Sequence, residues 1–347
     1  MRERGGAPAG PRGSERSPLW KTALRGLPLV LLGLVLWRER PWSVRLAAGA
    51  PATVAAAIVL NLMVFLPLKA ARWRVALTDP PPFRRILAAT LEGLLANAAI
   101  GFGSGDLVRA ARLRSPDDAA AAPAREAPTA AATVVRGPDI AGTGGGRLGV
   151  DYASTWAERG AEVLALAVLV FVTAVATHLG TLALVLSGAT AGAYVVALAA
   201  GPLLVARLGR WPRIKRAFEA GLQASTPGRI AAMSALSLLG WATELGMLLL
   251  FQTAFHLVPS LRTAVLTLVG INAAIVIPSV PGNFGTFEAG ASMALIMGGA
   301  PRDVAVTYAL TYHLSHVVPV TLIATAVYFV RSHGRYRPAT ARPSSEP

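Results

Sequence analysis

The chain of 347 residues contains no cysteine, which excludes disulfides and thiolate-ligated metals. Charge is scarce as well: Asp, Glu, Lys and Arg make up 15% of residues, against about 25% in an ordinary soluble domain. Acids are the rarer kind, 18 against 33 Lys and Arg, and the formal net charge is +15. Apolar residues fill the space, at 54% of the chain with a mean hydropathy of +0.52. That balance belongs to an integral membrane protein, in which about 20 apolar residues cross a hydrocarbon core roughly 30 Å thick.

A basic excess raises nucleic acid as a partner, but no stripe of Arg with interleaved aromatics is present, so nucleic-acid binding is not expected. The Arg and Lys lie between apolar segments, where cytoplasmic loops and anionic headgroups place them. The Gly-rich "GTGGGRLG" lacks the Lys-Ser/Thr of a phosphate-binding loop. "GFGSG" follows no strand, so a dinucleotide site is not expected either, and no cofactor is assigned.

Apolar segments of spanning length cover residues 19–37, 46–68, 163–178, 182–206, 230–256 and 304–330. The basic leader 1–18 is expected to be disordered, and the segment after it lacks a small-residue cleavage site, so 19–37 reads as an uncleaved span. Residues 19–330 form one transmembrane domain in two halves, 19–114 and 151–330, joined by a low-complexity cytoplasmic linker at 115–150. The tail 331–347 is expected in the cytoplasm.

Basic clusters at the N-terminus, at 69–85, at 207–216 and after 331 place both termini inside. Parity then requires "NAAIGFGSGD" (97–106) to enter from the cytoplasm and turn back. A second apolar segment with the same opening letters, "NAAIVIPSVPGNFGTFE" (272–288), breaks from the opposite side, either as half of a re-entrant pair or within two full spans. The expected fold is therefore all-α: a polytopic bundle of about six full spans with two broken or re-entrant elements, or eight spans, with the pattern of an inverted-topology repeat.

Helix breakers inside a membrane segment survive where buried protein or a polar cavity supplies partners. Pro278, Pro281, Gly282, Gly285 and Glu288 fall within eleven residues, with Asn272 just before them. They read either as a turn capped by Glu288 or as a broken helix whose amides line a cavity for an anionic group. Asp106 and Arg109 are spaced to pair on one helix face. Glu158, Arg159 and Glu162 open a span, with Arg159 in reach of Glu162 or of another element. Glu244 lies deep in its segment and needs a donor, which His313 or His316 can supply. A His-x-x-His metal site lacks a third ligand, so no metal is assigned. Ser104, Ser279 and Ser292 have no adjacent base, and no catalytic residue is assigned.

"NAAIGFGSGDLVRAARL", "STWAERGAEVLAL" and "IPSVPGNFGTFEAGASMAL" resemble the N-x-x-x-P-x-x-x-G-E-x-x-R-A, T-x-x-x-E-R-x-x-D and P-x-x-P-G-G-x-G-x-x-E patterns of the lysylphosphatidylglycerol synthase transmembrane-domain family. The resemblance covers roughly residues 46–330. It implies a flippase-type membrane module that moves or handles a polar lipid, and it carries roles onto Asp106, Arg109, Glu158, Arg159, Pro278, Pro281, Gly282, Gly285 and Glu288. Fused members attach a soluble aminoacyl-transferase after this module, and the chain, ending at Pro347, is expected to lack it. Asp106 stands for the usual Glu, Gly101 to Gly103 for a Pro, Asn283 for a Gly, Glu162 for an Asp, and Tyr312 and His313 stand where an Arg is common.

The expected function is that of a lipid flippase or transporter in the cell membrane. Asp106, Arg109, Glu158, Arg159, Asn272, Pro278, Pro281, Gly282, Gly285 and Glu288 would line a headgroup cavity, with Glu244 and His313 as secondary candidates. The partners expected are membrane lipids with anionic or polar headgroups, with a homo-oligomer or a lipid-modifying enzyme also compatible. Two alternatives remain: a membrane enzyme acting on a lipid-linked substrate, and a non-transporting partner of a soluble synthase.

Overall fold

The computed structural model describes residues 37, 44, 46–101, 103–113, 145–178, 180–207, 215, 219, 221–223, 225–277 and 281–334. Among the described residues there is no β-strand. Five helices are long and apolar enough to cross a membrane: Ala50–Ala76, Ala153–Thr177, Ala183–Leu203, Pro227–Ala254 and Arg302–Arg331. They correspond to five of the six expected spans. The sixth, at 19–37, lies outside the described residues apart from Trp37, as do the leader, the linker up to 144 and the tail from 335.

Helix α1 (Ala50–Ala76) opens with Pro51, whose missing N–H costs nothing in a first turn. A single π turn at Asn61–Phe65 interrupts its hydrogen-bond ladder. The helix ends where Leu77 turns extended, ahead of Pro80, Pro81 and Pro82. The sequence reading closed this span at Leu68, whereas the helix carries Lys69, Arg72 and Trp73 onward, and Arg72 and Trp73 are buried. The basic residues of this cluster are thus partly inside the bundle, because apolar and ionic contacts on one face outweigh the polarity of the sequence.

Helices α2 (Phe83–Ala99) and α3 (Ser104–Arg112) form a hairpin. The reversal uses Gly101 and Gly103 at φ 120° and 85°, a region that side chains disfavour. Helix α4 (Gly145–Thr177) begins within the expected linker, so Glu158, Arg159 and Glu162 sit well inside a helix rather than at its entrance. Ala153, Ala157, Ala161 and Ala165 give α4 a buried stripe of small side chains one turn apart, which lets neighbouring helices approach closely. Helix α5 (Thr181–Arg207) packs mainly on α4 and leaves most of its surface outward.

Helix α6 (Pro227–Ala254) is the hub, touching α1, α4, α7 and α9. Helices α7 (Leu261–Ile275) and α8 (Thr286–Met297) form a second hairpin and lead into α9 (Arg302–Gly334). Ser260 caps α7, its hydroxyl accepting from Thr263 N–H at 3.3 Å. With 15 and 12 residues, α7 and α8 extend about 22 and 18 Å, short of the roughly 30 Å of a full crossing. Neither is among the five helices of spanning length.

Among the described residues three apolar clusters hold the bundle, the smallest formed by Leu66, Leu91 and Ala324 between α1, α2 and α9. Phe251, Phe255, Tyr308 and Tyr312 interlock between α6 and α9, with Phe251 edge-on to Tyr312 at 4.9 Å between centroids. Trp73, Ile86, Ala157, Ala161 and Met233 join α1, α2, α4 and α6. Val168, Phe171, Val195, Val196, Met293 and Leu322 point outward, the arrangement expected when lipid rather than water surrounds the bundle.

Candidate functional site

Asp106, Arg109, Glu158, Arg159 and Glu162 gather where α1, α3 and α4 meet. Arg109, from the last turn of α3, donates to Glu158 at 2.8 Å and pairs with Asp106 at 3.3 Å. Its guanidinium lies 4.2 Å from the centre of the Trp73 ring. Glu158 also receives Arg72 at 3.0 Å, and Arg72 reaches Glu162 at 3.0 Å and Ser237 of α6 at 3.1 Å. Arg159 closes the circuit, pairing with Glu162 at 3.1 Å and with Asp106 at 3.4 Å.

Three arginines (Arg72, Arg109, Arg159) therefore balance three carboxylates (Asp106, Glu158, Glu162). An isolated ion in a membrane interior is very costly, and a matched, hydrogen-bonded set lowers that cost. Burial is uneven across the network. The Glu158 side chain is 0% exposed, whereas those of Asp106 and Arg159 are 18% and 39% exposed. Their mutual contact is also the longest of the set. The Asp106–Arg159 pair is thus the side of the network that a polar group can reach.

The second broken element is built differently. Pro281–Asn283 forms a tight turn, with Gly282 at φ 74° and Asn283 at φ 59°. Gly285 caps α8, and its N–H donates to Glu288 Oε2 at 2.6 Å, so the capping role read for Glu288 holds. The other oxygen, Oε1, lies 2.7 Å from His313 Nδ1 of α9, and the His313 ring stacks on Phe287 at 4.0 Å and leans on Phe284 at 4.7 Å. The turn packs against the end of α2, so the two breaks touch, while Glu288 and Asp106 belong to separate ion clusters.

Glu244 takes the other histidine. Tyr312 donates to its Oε1 at 2.7 Å, and His316 Nε2 lies 3.6 Å from the same oxygen. The two circuits correspond position by position. In α4, Glu158 and Glu162 meet Arg72 of α1, and Arg159 reaches the first-turn acid of α3. In α9, Tyr312 and His316 meet Glu244 of α6, and His313 reaches the first-turn acid of α8. Each of these α9 positions lies 154 residues after its α4 counterpart. Around them, the chain twice runs long helix, hairpin, long helix.

Of the remaining expected residues, Asn272 joins neither circuit, since its Nδ2 donates to Leu268 O of its own helix at 2.8 Å. Asn97, in the same place in the first segment, instead caps α3 by accepting from Gly105 N–H at 2.7 Å. Pro278 lies outside the described residues. Sequence reasoning missed Arg72, hidden in a run of basic residues, and Glu92. Glu92 of α2 binds Arg112 at 2.6 Å and Arg331 of α9 at 3.0 Å. No local spacing points to partners as distant in sequence as Glu92 and Arg331.

A helical bundle with apolar outer faces, two broken hairpins and internally paired ions is a multi-pass integral membrane protein. The chain belongs to the family of the lysylphosphatidylglycerol synthase TM region, whose model matches residues 23–324. Comparison with curated proteins and with solved structures gives no match.

Proposed function

We propose that the protein moves a lipid with a polar or charged headgroup between leaflets, and that the Asp106–Arg159 pair is where the headgroup engages. The balanced ion network carries this reading. Its Asp106–Arg159 edge is the longest contact and the most exposed, so a headgroup bearing its own charge can exchange for one partner there without stranding the buried Glu158. The family name refers to a synthase of a charged phospholipid, which agrees with a headgroup of this kind.

Topology supports the same reading. Three helices of spanning length, α4, α5 and α6, separate the two hairpins, so hairpins that each return to their own side enter from opposite faces and meet at their tips. Two re-entrant elements in an inverted arrangement give two faces similar access to one site. The basic clusters favour a cytoplasmic side for both termini, and anionic lipid agrees with a plasma-membrane location.

The test is headgroup-labelled lipid in proteoliposomes. Wild type is expected to translocate it, and Asp106→Asn to slow this by about tenfold, the scale of one charge-assisted contact. Translocation no faster than in protein-free vesicles, or an unchanged Asp106→Asn, overturns the proposal. Covalent turnover of the lipid seen by mass spectrometry would make the protein an enzyme, and copurification of a soluble synthase without transport would make it a partner.

A further inference from the structure

A mainly apolar cavity of about 180 Å³ lies between α1, α2 and α9. It forms at the π turn of α1, the kind of one-residue expansion that often accompanies a functional site. Asn61, the first residue of that turn, lines the cavity and is 3% exposed, and its Nδ2 meets no acceptor among the described residues. An amide N–H buried in apolar surroundings is unfavourable unless something accepts from it. Lys69 stands on the same wall two turns on. It forms no ion pair among the described residues, and the acids that act on it most, Glu162 and Glu158, are engaged by Arg72. His316 adds its ring from α9, with Nε2 turned to Glu244 at 3.6 Å.

The polar lining thus offers donors and a cation, and no carboxylate lines it. The rest of the wall is apolar, Phe65, Leu66 and Val320 among it. At about 30 Å³ per water, the space holds roughly six waters' worth of matter, enough for a phosphate and its ester carbons. Beside the cavity, Met63 on α1 and Val318 and Leu322 on α9 are exposed on helices long enough to span, so the neighbourhood is hydrocarbon rather than water.

We propose that this cavity binds the phosphate of a membrane lipid, with Lys69 as the counter-charge, Asn61 Nδ2 as a hydrogen-bond donor and the apolar wall holding the glycerol end. The site rests on the reading of the protein as a lipid-handling module. It adds a contact to the phosphate, apart from the Asp106–Arg159 pair.

Native mass spectrometry of the full chain in detergent tests it, with phosphatidylglycerol and diacylglycerol of the same acyl chains as probes. Wild type is expected to retain phosphatidylglycerol about tenfold better, Lys69→Gln to lose that preference, and Lys69→Arg to keep it within roughly threefold, since the charge alone is at issue. Asn61→Leu, which removes the donor but fills the space, is expected to weaken retention severalfold while the fold is preserved. Equal retention by wild type and Lys69→Gln overturns the site. Displacement of the lipid by millimolar inorganic phosphate would assign the cavity to a soluble anion and overturn the lipid half of the proposal. Retention is read without movement across a bilayer. A wild type that fails to translocate lipid therefore overturns the transport reading and leaves a positive retention result standing.

Discussion

Asp106 and Glu288 occupy the same position in two separate hairpins. Each is the third residue of the hairpin's second helix, after an N-cap glycine at positive φ, 85° at Gly103 and 87° at Gly285. Each meets a side chain from the long helix that follows, Arg159 at 3.4 Å and His313 at 2.7 Å. An acid at the third position complements the positive helix end, so both sites also stabilise their own helix. They differ in what surrounds them: Asp106 joins a six-member ion network, and Glu288 a single pair walled by aromatic rings.

The first prediction separates the closed from the open side of the network. Glu158→Gln removes the carboxylate that Arg72 and Arg109 share, leaving these two buried cations only Glu162 and Asp106, and is expected to cost about 3–5 kcal/mol. Arg159→Ala removes a partly solvated partner and is expected to cost under about 1 kcal/mol. Thermal unfolding in detergent compares them; equal losses would show that the network does not grade from core to surface.

His313 and Glu288 are expected to be strongly coupled. His313→Phe suits the aromatic surroundings but leaves Glu288 Oε1 without its partner, at a cost of about 1–3 kcal/mol. Adding Glu288→Gln should recover part of that loss in a double-mutant cycle. Additive single and double losses would contradict the pairing.

Both hairpins close on glycine. A Cβ on Gly105 would run into Gly93 O and the Asn97 side chain, and one on Gly290 into Gly270 O. Gly105→Ala and Gly290→Ala are therefore expected to destabilise by about 1–3 kcal/mol. Gly188 on α5 has open space where its Cβ would stand, and Gly188→Ala is expected to be neutral or to stabilise by up to about 1 kcal/mol through helix propensity. Unfolding midpoints check the sign at each position.

The absence of cysteine makes the chain a clean background for labelling. Asp79→Cys lies ahead of the first hairpin and Val258→Cys ahead of the second, both exposed. Three spanning helices between the hairpins predict that a membrane-impermeant maleimide reaches the two from opposite faces of oriented vesicles. Labelling of both from one face would refute the inverted arrangement.

Much of this was legible locally. The spans α4, α5, α6 and α9 follow from long apolar runs, and the hairpin reversals from Gly101, Gly103, Gly282 and Gly285. The Asp106–Arg109 pair and the Glu288 cap need only spacings of three residues, which is one helical turn. The extension of α1 past Leu68 was not legible, because Lys69, Arg72 and Arg74 look like a loop to any measure of hydropathy.

By itself the sequence determined the class of protein, the places where helices must run and break, and which acids face those breaks, because backbone hydrogen bonding and apolar length act between near neighbours. Tertiary structure alone decided the pairings. Arg72 with Glu158, Glu92 with Arg331 and Glu244 with Tyr312 join residues from separate helices. A buried ion must find its opposite within a few ångströms wherever the chain brings it, and no local pattern records where that is.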